Sequence, residues 1–243
     1  MLKGAIFDLG ETLIHLTTSL DEVRDSRVQA IYDALREKGV SLDFNDLRRQ
    51  YMALHDEESE YAARTLEEID VAKSLPKLLD RLGVEARPRP PIFDLVKKFF
   101  AFEVNSWVLF PGVHEMLVDV RALGLRMGML SNSRSDWAIR EITDRLDIAK
   151  FFDAIVTSAA VGIRKPRPEP FQEILKELGL NGSEAVMVGN STEADISGAR
   201  PLGLKTIQVI FGNNAEEKGA DPDVTVYSIS EIVPAIKRLA AGS

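Results

Sequence analysis

From Pro111 onward, short apolar runs alternate with amphipathic stretches, and this alternation leaves few folds open to the chain. The runs at 125–130, 154–157, 185–188 and 206–210 are each bounded by Gly or polar residues and read as strands. Between and around them, helical spacing predicts helices over 113–122, 135–146, 168–178, 193–199 and 230–239. Strands that alternate with helices imply a parallel sheet covered on both faces.

One more strand is expected at 3–9, and it ends in Asp8. A buried strand that delivers a carboxylate at its end is costly unless that carboxylate has a partner or a use. In open α/β sheets the ligand crevice lies outside the carboxyl ends of the strands, so Asp8 is the first candidate for a reactive group. From about 18 to 105 the pattern is helical throughout, with Gly39 and Gly83 placed as helix stops and a Pro-rich break at 87–91. That helical block interrupts the sheet domain after its first strand. The polar stretch 212–223 reads as a loop.

The 243 residues carry a net charge of −8, which argues against a dedicated nucleic-acid binder. The chain has no cysteine, which removes disulfides, thiolate metal sites and cysteine nucleophiles. No apolar stretch approaches the roughly 20 residues of a membrane span, and the amino terminus lacks the apolar core of a signal peptide. A cytoplasmic location without membrane partners is the default expectation.

Polar clusters follow the strands. Ser131, Asn132 and Ser133 end the second core strand, and a hydroxyl with free backbone N–H groups there can hold a phosphate. The alternative is an ordinary helix cap. Lys165 lies in a Pro-bracketed basic segment, where a fixed ammonium could orient a nucleophile; a solvated loop is the alternative. Gly189 and Asn190 end the strand at 185–188, and Asp195 follows one turn later. Asp8, Asp195 and the Asn190 amide are oxygen donors of the type a hard cation such as Mg²⁺ takes, although Asn and Ser also cap helices well. Each cluster is weak alone; their order at consecutive strand ends is the stronger signal.

Taken together, FDLGETL, LSNS, RKPRPEPF and VGNSTEADISGA resemble the four ordered motifs of the haloacid dehalogenase superfamily of hydrolases. The resemblance implies a Rossmann-like three-layer core at 1–17 and 106–243, with an inserted all-helical cap at 18–105. It further implies that Asp8 is the nucleophile and forms an aspartyl-phosphate. Ser131, helped by the Asn132 backbone, would bind the phosphoryl group, and Lys165 would stabilise Asp8 and the developing charge. Mg²⁺ would be held by Asp8, the Gly10 carbonyl, Asn190 and Asp195. The implied substrate is a small phosphorylated metabolite, handled by a monomer or homodimer.

Two positions depart from the family pattern. Most of its phosphatases have a second Asp two residues after the nucleophile, as general acid/base, and here that residue is Gly10. General acid/base help is typically worth about 10²–10⁴-fold, so Glu11 becomes the candidate substitute. The second departure is Asn190, where Asp is usual, and weaker Mg²⁺ binding is expected. Two rival readings follow. One is a metal-independent dehalogenase attacking carbon, disfavoured by Gly10 where that branch has Tyr. The other is a catalytically impaired binding or regulatory protein, opposed by the retained Asp8, Ser131, Lys165 and Asp195. His15 could face substrate or pack at the hinge, His55 and His114 read as structural or solvated, and Phe99, Phe100 and Phe102 read as core of the cap.

Overall fold

A six-stranded parallel sheet carries the candidate residues, and five of its strands are those the sequence predicts; the sixth, at the edge, is not. The computed structural model describes residues 1–84, 89–211 and 219–242. Part of the Pro-rich break (87–88) and part of the polar stretch (212–218) lie outside the described residues. The chain divides into two compact units: residues 1–15 with 108–243, and residues 16–107.

In chain order the elements are β1 (Gly4–Phe7), β2 (Ile14–Leu16), α1 (Leu20–Glu37), α2 (Phe44–Thr65), α3 (Val71–Arg81), α4 (Ile92–Ser106), β3 (Trp107–Leu109), α5 (Val113–Ala122), β4 (Arg126–Ser131), α6 (Asp136–Arg145), β5 (Ala154–Thr157), α7 (Ser158–Val161), α8 (Pro168–Leu178), β6 (Ala185–Gly189), β7 (Lys205–Val209), β8 (Val224–Val226) and α9 (Ile232–Ala241). The large sheet has the order β5-β4-β1-β6-β7-β8, and every neighbouring pair is parallel. β1 is central. Phe7 lies in register with Met129 of β4 on one side and Val188 of β6 on the other, so Asp8 emerges between two strand ends. The chain leaves β1 toward β4 and β5 and later returns to its other side through β6, which makes this the switch point of the sheet.

Side chains alternate across the strands. Ile6, Leu130 and Met187 pack with Phe171, Ile174 and Leu178 of α8 in one buried cluster. Gly128 permits that packing: a Cβ there would lie 2.9 Å from Ile174 Cγ1 and 3.0 Å from Leu178 Cδ1. α9 lies against β7 and β8.

The second unit is helical. Ser19 and Glu22 form a reciprocal capping box at the start of α1, which satisfies two free N–H groups. α1 packs chiefly on α4, where the Arg27 guanidinium lies 5.0 Å and 5.4 Å from the ring centres of Phe99 and Phe100 and pairs with Glu103. Phe99 and Phe100 are buried as expected, but Phe102 is 43% exposed. Helical spacing turns it away from the face shared by its two neighbours.

Two further differences separate sequence and structure. The helix expected at 193–199 is one wide turn, Thr192–Ser197, in which Ser191 O accepts from both Asp195 N (3.0 Å) and Ile196 N (3.2 Å). The short strands β2, β3 and β8 and the single turn α7 carry too few residues to show a period. Among the described residues no helix is long and apolar enough to cross a membrane.

Candidate active site

Three strand ends and one loop bring the charged groups together. Asp8 follows β1, Ser131 closes β4, Asn190 follows β6, and Lys165 arrives from the loop between α7 and α8. The Lys165 ammonium donates to Asp8 Oδ1 at 2.7 Å, to Asp195 Oδ1 at 2.6 Å and to the Leu130 carbonyl at 2.8 Å. An ammonium has three N–H donors, so all of them are committed. Lys165 and Asp195 are almost fully buried, and Asp8 is 8% exposed. Buried charges persist only when paired and hydrogen-bonded, and here each is both.

The three groups sum to one negative charge. Burial pushes the Asp195 carboxyl up to about 6; Lys165 opposes this and Asp8 adds to it. Burial works against the Lys165 charge as well, but Asp195 and Asp8 outweigh it and hold the ammonium above its ordinary value. The cluster therefore favours additional positive charge.

The remaining expected residues lie around this core. The Ser131 hydroxyl, 5% exposed, makes no hydrogen bond to the described residues and is open to a ligand. The Asn132 side chain turns toward Lys165, taking its backbone N–H at 2.9 Å and donating to its carbonyl at 3.0 Å. Gly10 forms a bridge with Ile14, and Glu11 N donates to Ile14 O at 2.7 Å. Glu11 has φ 55°, in the left-handed region, and its carboxylate makes no hydrogen bond or ion pair to the described residues. A non-glycine residue held there carries backbone strain of about 1–2 kcal/mol, a cost found preferentially at functional sites.

Sequence reasoning passed over two residues. The buried Thr12 hydroxyl lies 3.0 Å from Asp8 Oδ2 and 3.3 Å from Asn190 Oδ1. It has one proton, so it donates to one of them; the shorter contact and the full charge favour Asp8. The buried Ser158 hydroxyl accepts from Ser133 N at 2.8 Å and donates to Ser133 O at 3.2 Å, fixing the loop after β4. The position of Thr12, four residues after Asp8 in a tight turn, was the available signal for the first. Ser158 gave none, because the contact spans 25 residues. Of the histidines, His55 stacks on Tyr51, and His114 bonds the Leu146 carbonyl and lies edge-on to Phe151.

The donors suit one kind of metal ion. Among the described residues no three acidic or His side chains are grouped as a metal cage. The Asp8 and Asp195 carboxylates and the Asn190 amide offer oxygen donors only, the type taken by Mg²⁺, which binds through one or two carboxylates and keeps waters or phosphate oxygens.

The sequence profile of the haloacid dehalogenase-like hydrolases matches residues 2–203. The chain belongs to that family. The chain of this hydrolase is 28% identical to a glyceraldehyde 3-phosphate phosphatase of Methanocaldococcus jannaschii over 98% of its own length and 99% of the relative's. It is 30% identical to the enzyme of the same name from Pyrococcus abyssi, over 87% and 83% of the two chains. Among solved structures, a 2-haloacid dehalogenase from Pseudomonas syringae superposes with a TM-score of 0.69 at 23% identity, covering 98% and 99% of the chains. A HAD phosphatase from Thermococcus onnurineus gives 0.65 at 18% identity, covering 97% and 98%. These structural likenesses show the shared fold.

Proposed function

We propose that this hydrolase is a phosphatase acting on a small phosphate monoester, with Asp8 as nucleophile. The observation that carries the reading is the bridging of Asp8 and Asp195 by Lys165, with the Ser131 hydroxyl left without a hydrogen bond to the described residues. Thr12 and Lys165 each hold one Asp8 oxygen, so the carboxylate is oriented before substrate arrives. Asp8 attacks phosphorus and displaces the alcohol, and water then releases phosphate from the aspartyl-phosphate. Ser131 donates to a phosphoryl oxygen. Lys165 acts on the carboxylates, since its own donors are taken. Glu11, strained and without a partner among the described residues, is the proton carrier for the leaving alcohol and the attacking water. Asp8, the Gly10 carbonyl, Asn190 and Asp195 would hold Mg²⁺, which supplies charge neutralisation for the phosphoryl group.

The full-length relatives named for glyceraldehyde 3-phosphate support a short-chain phosphorylated substrate, and residues 18–105 are the proposed cap that selects it. Hydrolysis of p-nitrophenyl phosphate with Mg²⁺, its loss in EDTA, and its loss in Asp8→Asn are the expected results. Halide release from a 2-haloacid, unaffected by EDTA, would instead support attack on carbon.

A further inference from the structure

The geometry points to Asn132 as the residue that positions Lys165. Lys165 lies in neither helix nor strand, and the next residue, Pro166, has no N–H to offer. The Asn132 side chain takes the place of a neighbouring strand: Oδ1 accepts from Lys165 N at 2.9 Å and Nδ2 donates to Lys165 O at 3.0 Å. Only one orientation of the amide satisfies both bonds, because the opposite one sets donor against donor and acceptor against acceptor. The Lys165 backbone is thus fixed at both polar groups. From that fixed point the ammonium reaches three acceptors within 2.6–2.8 Å, a placement that a small backbone shift would break.

Asn132 also follows Ser131 directly. One dipeptide therefore sets two sides of the site: its serine hydroxyl is open to a ligand, and its asparagine fixes the lysine that holds Asp8 and Asp195. Asn132 is a positioning residue, acting through Lys165. The kinetic part of this inference rests on Asp8 being the phosphatase nucleophile; the structural part does not.

The test uses the full chain with ¹⁵N-labelled lysine. The buried Lys165 ammonium should give a proton signal protected from exchange with water, assigned by its loss in Lys165→Met. In Asn132→Ala that exchange should accelerate about tenfold or more as the ammonium loses its fixed acceptors. On p-nitrophenyl phosphate, kcat should fall about 10²-fold while KM stays within about twofold. The same substitution in a Lys165→Met background should cost less than about threefold, since a residue acting through Lys165 has nothing left to act on. If Asn132→Ala fails to fold, Asn132→Asp, which keeps the shape and the acceptor but loses the donor, takes the same measurements. An unchanged ammonium signal, or a full additive loss in the Lys165→Met background, would overturn the inference. A changed signal in a protein without phosphatase turnover would sustain the positioning role and remove the phosphatase reading.

Discussion

The Asp195 side chain fills the space that a side chain on Gly189 would take: a Cβ placed on Gly189 would lie 2.2 Å from Asp195 Oδ2. Gly189 is not among the residues with positive φ, so the absence of a side chain is what this position requires. Gly189→Ala should push Asp195 off the Lys165 ammonium and lower kcat by about 10²-fold, the order expected for a misplacement of about 1 Å. Steady-state kinetics on p-nitrophenyl phosphate checks it; an unchanged rate would mean that Asp195 need not sit where it does.

Lys165→Met leaves two buried carboxylates facing each other without compensation. Breaking one partner out of a buried ion pair costs about 3–5 kcal/mol, and urea unfolding in metal-free buffer should show a loss of that order. A stability within about 1 kcal/mol of the parent would show that the two carboxylates do not depend on the lysine.

At Glu11, stability and activity should part. Glu11→Gly relieves the left-handed backbone and should raise unfolding stability by about 1 kcal/mol. It also removes the proposed proton carrier, so kcat should fall by about 10²–10⁴-fold. Denaturant melts and kinetics on the same variant separate the two effects, and a stabilised variant of full activity would strip Glu11 of its chemical role.

Asn190→Asp adds a carboxylate beside Thr12 and the proposed Mg²⁺ ligands. Titration calorimetry should give a Mg²⁺ dissociation constant lower by about tenfold or more, about 1.4 kcal/mol. Equal affinity in parent and variant would place the ion elsewhere.

The strand-and-helix order was legible from residue pattern because each long element carries its own period. The helices α5 and α8 fall where spacing puts them, and β5 runs over 154–157 as expected. The short strand β8 and the wide turn at Thr192–Ser197 were not legible, since their form depends on neighbours: β8 pairs with β7, and the turn is shaped by two bonds to the Ser191 carbonyl. The site divides along the same line. Asp8 and Ser131 stood out as polar residues at the ends of apolar strands, and Lys165 as a cation in a Pro-bracketed segment. The turn of the Asn132 amide toward Lys165 is set by a contact across 33 residues that no local pattern encodes. The three-donor commitment of Lys165 likewise required the positions of Leu130 and Asp195, 35 and 30 residues away.

The nucleophilic role of Asp8 is tested most directly by trapping. Protein turning over p-nitrophenyl phosphate with Mg²⁺ is quenched in acid, digested and examined by mass spectrometry. The account predicts a phosphorylated peptide with the modification on Asp8, absent from Asp8→Asn, which should also show no turnover. Wild-type turnover by Asp8→Asn, or a phosphorylated residue other than Asp8, would contradict it.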